Sequence, residues 1–288
     1  MSSDPVITAF HEPVTGSLTY IVADPATKQA AIIDPVLNYD GNSGHTKTTS
    51  IDEVLAEVQR QGLMVQWILE THVHADHLTA AAYVKSKGQA KLAIGGEVQV
   101  VQKLFGALFN IADSIAPNAA DFDATFKDGE SFKIGELTAK VLHTPGHTPA
   151  CISYVIGNAV FVGDALFMPD YGTARCDFPG GDAATLYNSI HKILSLPETT
   201  RVCVGHDYGP NGRDIKWEAT VAEHLASNVH IGGSVSQDKF VAMRVARDKT
   251  LALPNLIIPS VQVNIRGGRL PEPEGNGTRY LKIPLDKF

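Results

Sequence analysis

The stretch Trp67-Ile68-Leu69-Glu70-Thr71-His72-Val73-His74-Ala75-Asp76-His77 constrains this chain more than any other. Three histidines and an aspartate fall within six positions, directly after a short apolar run. Trp67, Ile68 and Leu69 read as the end of a buried strand. Ala75 to Lys85, with Ala80, Ala81 and Ala82 at its centre, has helix-forming composition. The cluster is therefore expected in a strand-to-helix turn at the rim of a sheet. A turn lets neighbouring side chains converge on one point, which neither a regular strand nor a regular helix does for all four. Imidazole with carboxylate suits a catalytic first-row metal, whose site keeps coordination positions open. A lone histidine in a turn is more often a satisfied polar residue than a ligand. Four metal-capable side chains in six positions, in a chain with 11 histidines, are not explained that way.

Three further candidates recur just after predicted strands: His147, Asp164 and His206. Each follows a glycine (Gly146, Gly163, Gly205), which permits close backbone approach and unusual dihedrals beside a crowded site. Alone, each has an ordinary explanation. A histidine after Pro-Gly can occupy a turn, and Asp164 can cap the next segment. With the first cluster they make seven potential ligands at four strand ends.

The chain has 288 residues, enough for one large domain or two modest ones. Hydrophobic residues at 44% supply a sizeable core, and charged residues at 19% argue against broad disorder. The net charge of −7 argues against nucleic acid as the main partner, although an anionic small molecule needs only a local basic pocket. Cys151, Cys176 and Cys203 form no paired motif, so a disulfide framework is not expected and a reducing cytoplasm is. Met1-Ser-Ser-Asp-Pro5 lacks a basic region followed by an apolar run, so no signal peptide is expected. No apolar stretch approaches membrane-spanning length, and no membrane partner is expected.

Taken in order, Val6–Phe10, Leu18–Val22 and Gln29–Ile33 read as antiparallel strands separated by Gly16-Ser17 and Asp24-Pro25. Asp34 reads as a turn former ending the third, in slight preference to a supporting role behind the metal-capable cluster. Residues 37–49 read as a polar loop, with His45 solvated. Ser50 and Glu53 fit a capping box for a helix with an apolar stripe of Ile51, Val54, Leu55 and Val58, closed by Gly62. Lys91–Ile94 reads as a strand. A helix over 97–109 follows, with Val100, Val101, Leu104 and Leu108 in the core. Asp128-Gly129 signals a hairpin between Thr125-Phe126 and Ser131-Phe132. Leu137–Leu142 alternates as a strand, and Gly157-Asn158 joins two more over 151–156 and 159–162. The rest reads as a loop over 167–181, a helix over 182–194, a strand over 201–204, helices over 215–226 and 237–247, and a proline-rich tail. This order implies an α/β (α+β) architecture of two mixed sheets packed face to face with helices outside.

His72-Val-His74-Ala-Asp76-His77, with His147, Asp164 and His206 in that order, resembles the metallo-β-lactamase superfamily over residues 6 to about 230. The resemblance implies an αβ/βα sandwich with its metal site at one sheet edge. Seven such ligands imply a dinuclear zinc thioester hydrolase of the glyoxalase II type. A finer resemblance points to persulfide dioxygenases, the mononuclear iron enzymes related to the ethylmalonic encephalopathy protein. It rests on Thr144-Pro-Gly-His-Thr-Pro149, Gly172-Thr-Ala-Arg175-Cys-Asp177-Phe178, His206-Asp207-Tyr208, Leu253-Pro-Asn-Leu256 and Asn264-Ile-Arg266-Gly267. The 37–49 loop and the tail are similar to bacterial members called β-lactamase-like hydrolases.

Carried over by position, the dioxygenase resemblance implies one Fe(II) per chain held by His72, His147 and Asp164. It makes His74, Asp76, His77 and His206 supporting groups or a vestigial second metal site. The implied reaction takes glutathione persulfide, or a similar low-molecular-weight persulfide, with O2 to sulfite and thiol. Arg175 is expected to clamp a glutathione carboxylate, with a loop ion pair to Asp177 as its structural explanation. Tyr208 is expected to donate its hydroxyl to the substrate or a ligand, and otherwise to pack. Related enzymes carry an arginine on the helix after His-Asp-Tyr, where this chain has His224 and Leu225. Arg266 or Arg269 is expected to stand in for it. The resemblance also implies a catalytic domain over 1–250, an extension over 251–288 packing on it or on a neighbour, and a homodimer or higher assembly.

Overall fold

A computed structural model describes residues 4–287. The first sheet has the order β1-β2-β3-β6-β8-β9, from Val6–His11, Leu18–Ala23, Gln29–Ile33, Met64–Leu69, Lys91–Gly95 and Ala124–Phe126. Its first three strands are antiparallel, and β3, β6, β8 and β9 run parallel. The second sheet runs β10 to β15 in chain order: Ser131–Ile134, Leu137–His143, Ile152–Ile156, Ala159–Phe161, Arg201–Cys203 and Glu218–Thr220. A small third sheet joins β4 (Val36–Asp40) to β5 (His45–Lys47) and β7 (Leu78–Thr79).

Seven helices complete the fold among the described residues: α1 Thr49–Gln61, α2 Ala81–Ser86, α3 Val98–Leu108, α4 Ala183–Leu194, α5 Val221–Ser227, α6 Gln237–Asp248 and α7 Ile257–Asn264. The layers follow from strand alternation. Tyr20 and Val22 of β2 point between the sheets, against Tyr154 and Phe161. Ile21 and Ala23 point the other way, into a core with α1, α2, α3 and α7. Val160 and Val202 of the second sheet meet α4 and α6 in a third core. The result is the expected sandwich, with both faces of each central strand covered. Among the described residues no helix is long and apolar enough to cross a membrane.

Several local expectations are corrected, each by a tertiary contact. The helix expected from Ala75 begins only at Ala81, because Leu78–Thr79 pairs with Val36–Leu37. The polar 37–49 loop is largely a hairpin, with Asn38, Tyr39 and Asp40 opposite Lys47, Thr46 and His45; His45 is exposed as expected. There is no Ser50 capping box. Ser50 lies inside α1, where its N–H donates to Asn38 Oδ1 at 2.9 Å and its Oγ accepts from Asn38 Nδ2 at 2.8 Å. Asp128-Gly129 is a turn but not a hairpin: it carries the chain from β9 in one sheet to β10 in the other. The helix expected over 215–226 forms only in its second half, since Glu218–Thr220 pairs with β14 and helix starts at Val221. Val100 is 46% exposed and Val101 buried, so the helical stripe includes only the latter fully. The tail contains an unexpected helix, α7, whose Ile257, Val261 and Val263 join the first core.

Candidate metal centre

Seven side chains converge at the rim where the two sheets open. Three sets of ligand atoms could hold a metal ion: His72–His147–Asp164, His74–Asp76–His206 and Asp34–Glu70–His74. The glycines before them have the expected role. A Cβ on Gly163 (φ +50°) would lie 2.4 Å from Thr71 Oγ1, and one on Gly205 would lie 2.8 Å from Asp164 Oδ1.

The first set is held from behind. Thr71 donates its N–H and its hydroxyl to the two oxygens of Asp34, both at 2.8 Å. With that hydroxyl proton committed, Thr71 Oγ1 accepts from His72 Nδ1 at 3.0 Å. His147 Nδ1 donates to the carbonyl of Arg175 at 2.8 Å. Both imidazoles therefore turn Nε2 toward Asp164 Oδ2, at 4.0 Å and 3.6 Å. Burial, reinforced by the neighbouring His74 and His147, holds the His72 pKa well below the usual histidine value.

The second set is engaged mostly by residues outside it. Asp76 Oδ2 accepts from Ser17 Oγ at 2.9 Å and from His77 Nδ1 at 2.8 Å, and His206 Nε2 stands 3.4 Å away. His206 Nε2 is also 3.3 Å from Asp164 Oδ1, so Asp164 stands between the two sets. His74 Nε2 faces Asp34 Oδ1 at 3.0 Å and Glu70 Oε2 at 3.4 Å, leaving Nδ1 toward Asp76. Burial opposes charge on His74, but Asp34 and Glu70 outweigh it and raise its pKa well above normal. Burial also raises Glu70. Asp76 is desolvated too, yet His206 and His77 hold its pKa well below the carboxylate range.

The buried atoms His72 Nε2, His74 Nδ1, His77 Nε2, Asp164 Oδ1 and His206 Nδ1 have no hydrogen-bond partner. Buried imidazole nitrogens left unpaired are costly; a cation in the first set would engage His72 Nε2 and one in the second His74 Nδ1, whereas His77 belongs to neither set and His206 turns Nε2, not Nδ1, to the carboxylates. The donor set fits a first-row metal.

Asp34 corrects the sequence reading. It is a turn former at φ +50°, but its carboxylate also links Thr71 and His74 behind both sets. Its one sequence signal was its place at a strand end, shared with the other ligands.

A cavity of about 1360 Å³ opens over Asp76, His77, His147, Asp164 and His206. The β4–β5 hairpin lines one side, and segments 171–178 and 244–256 line another. Tyr208 lines it and stacks on His206 with ring centroids 5.7 Å apart. Desolvation, then Asp164 and Asp76, raise the Tyr208 pKa, so the hydroxyl keeps its proton. Arg175 also lines it, but its guanidinium grips Asp177 in two bonds of 2.6 and 2.7 Å and donates to Ala252 O at 2.6 Å. Arg266 is buried, donates to Gln262 O at 2.9 Å and does not line the cavity; Arg269 pairs with Asp121. The sequence reading missed Arg244 and Arg247 of α6, which do line it. Arg244 is buried against Asp248. Among the described residues, Arg247 and Lys47 line the cavity with no carboxylate partner and no side-chain hydrogen bond. The exposed last turn of a helix gave no sign of this.

Fold and site together define an αββα metalloenzyme with its metal centre at the sheet rim. The sequence pattern of the metallo-beta-lactamase superfamily matches residues 13–206, and the chain belongs to that superfamily. It is 53% identical over 290 residues to a Burkholderia pseudomallei protein named "Probable metallo-hydrolase", covering 97% of this chain and 99% of that one. It is 50% identical to "Glyoxylase B2" of Dictyostelium discoideum, covering 99% of each. It is 31% identical to human "Persulfide dioxygenase ETHE1, mitochondrial", covering 89% of this chain and 86% of that one. The chain spans 65% of the length of a "Beta-lactamase hydrolase-like protein" of Agrobacterium fabrum, at 55% identity. The crystal structure of ETHE1 from Myxococcus xanthus superposes with a TM-score of 0.73 at 30% identity, covering 92% of this chain and all (100%) of that one.

Proposed function

We propose that the chain is a mononuclear Fe(II) persulfide dioxygenase. Glutathione persulfide, or a similar low-molecular-weight persulfide, reacts with dioxygen and water to give sulfite, thiol and a proton. The observation that carries this reading is the asymmetry of the centre. His72–His147–Asp164 is the set in which both imidazoles have their far nitrogens fixed by a partner, so two nitrogens and one carboxylate are preorganised on one side. A ferrous ion held there would supply open positions and the redox chemistry that dioxygen requires. Similarity to the two ETHE1 proteins supports the same reading.

The chain's own residues have defined tasks in it. Phe167 and Tyr171 line the approach and limit water. Tyr208 keeps its hydroxyl protonated as a donor toward the sulfur anion. Arg247 and Lys47 offer charge to the carboxylates of the thiol carrier. Arg175, tied to Asp177, holds the carbonyl that orients His147 and reaches a carboxylate only by sharing its guanidinium. Exposed Tyr280, Ile283 and Leu285 near the C-terminus support a homodimer or higher assembly.

A second reading, a dinuclear zinc thioester hydrolase, has a specific observation in its favour. Asp164 turns Oδ2 to His72 and His147 and Oδ1 to His206, which suits a carboxylate shared by two cations. The names of relatives at 50% identity or more support this reading better than the first. Metal analysis after anaerobic purification separates them: about one iron per chain against about two zincs. Oxygen uptake with glutathione persulfide, run beside hydrolysis of a glutathione thioester, is the direct assay. Thioester hydrolysis without oxygen uptake overturns the dioxygenase.

A further inference from the structure

The C-terminal helix reaches into the metal-binding turn through one side chain. Asn264 is the last residue of α7 and is 3% exposed. Its Nδ2 donates to the carbonyls of His74 and His77, both at 2.8 Å. Its Oδ1 accepts the N–H of Thr79 at 2.8 Å. One amide thus satisfies three main-chain groups of the turn, from a position 185 residues or more away in sequence. The two carbonyls lie where the turn is neither helix nor strand, so no regular ladder would pair them, and Thr79 is the last residue of the short strand β7.

The segment around Asn264 is itself firmly seated. Gln102 Nε2 donates to Ile265 O at 2.8 Å. A Cβ on Gly268 (φ +83°) would come to 3.0 Å from Thr79 O and Ala82 N. The backbone there passes directly over the end of the turn.

The two carbonyls that Asn264 holds belong to the two histidines whose rings face Asp76. His74 Nδ1 and His77 Nε2 are both unpartnered. His72, by contrast, is positioned through Thr71 and Asp34, by hydrogen bonds that do not involve α7. Displacing the turn at 74–79 would therefore move His74, Asp76 and His77 relative to Asp164.

We infer that Asn264 is a positioning residue of the metal centre, so that the C-terminal helix sets the geometry of the ligand turn. The inference rests on the centre binding a metal and is the same for a dioxygenase or a hydrolase. Its readout is metal binding, so loss of either activity reading leaves the test intact.

The test titrates metal-free protein with Co2+, followed by the visible absorption of the bound ion. Asn264→Asp keeps an acceptor for Thr79 and sets a carboxylate oxygen against two carbonyls. Val263→Ala, buried in the same helix with a side chain that makes no hydrogen bond to the turn, controls for simple loss of packing. Asn264→Asp is expected to weaken Co2+ binding about tenfold or more and to change the absorption band, as loss of ligand-supporting hydrogen bonds does elsewhere. Val263→Ala is expected to lower the thermal midpoint of the metal-free protein and leave Co2+ binding and the band unchanged. If Asn264→Asp does not fold, Asn264→Ser, which keeps a short donor, is measured identically with a smaller loss expected. Equal weakening in the asparagine and valine variants, or an unaltered band and affinity in the asparagine variant, overturns the inference.

Discussion

Two sets of candidate ligands meet at Asp164, and they are built differently. In His72–His147–Asp164 each histidine is held by a group outside the set: Thr71 with Asp34 behind one, the Arg175 carbonyl behind the other. In His74–Asp76–His206 the carboxylate is engaged by Ser17 and by the neighbouring His77, and His206 Nδ1 has no partner. Ligands fixed from outside are ready for a cation without rearrangement. A carboxylate whose oxygen already accepts two hydrogen bonds must share them or give them up first. The electrostatics agree: His72 is biased toward its neutral form and His74 toward its charged form.

The comparison is broken most directly by removing the first set. His72→Ala or Asp164→Ala is expected to abolish tight iron binding and lower turnover by about 10³-fold or more, since a lost metal removes several kcal/mol of transition-state stabilisation. Measured iron content and oxygen uptake check this; surviving activity would sink both catalytic readings. Removing the second set sharpens the contrast. For a dioxygenase, His206→Ala keeps one iron per chain and loses about tenfold in rate; for a hydrolase it collapses activity with the second zinc.

Substitution away from the metal has a smaller effect. Arg247→Gln is expected to raise KM for glutathione persulfide about tenfold with little change in kcat, the scale of one charged hydrogen bond. A persulfide carrier without carboxylates should show no such change.

Proton competition separates the two sets more gently. His74 is raised, so in the metal-free protein it holds its proton below the shifted value and loses it only as pH rises through it. Binding at His74–Asp76–His206 must displace that proton and should strengthen with rising pH. Binding at His72–His147–Asp164 displaces no such proton from His72, which is biased toward its neutral form, and should depend less on pH. Zinc titrations at several pH values measure both slopes.

The smallest effect lies outside the centre. Burial pushes His224 on α5 down to about 4. A lowered histidine contributes stability that is full above its unfolded value of about 6.5 and is lost as pH falls toward the folded value. His224→Gln should flatten acid unfolding over that interval, measured by urea midpoints.

Much of this was legible in residue order. Strand ends at Leu69, Phe161 and Cys203 were visible as apolar runs, and the ligands follow them because a turn after a strand frees side chains to converge. Local signals failed where a distant segment took over the backbone. Thr79 is paired with Val36 and held by Asn264 instead of entering a helix. Glu218–Thr220 was claimed by β14. Asp34 looked like an ordinary Asp-Pro turn because its partners, Thr71 and His74, are close only in space.

By itself the residue order determined the sandwich, the superfamily and the seven candidate side chains of the site, since hydrophobic period and the spacing of chemically capable side chains are written locally. Which nitrogen each imidazole presents, which ligands are held from outside, and which arginine faces the cavity without a partner were decided only by tertiary structure. Those properties depend on hydrogen bonds between residues tens to hundreds of positions apart, and no local pattern encodes such a pairing.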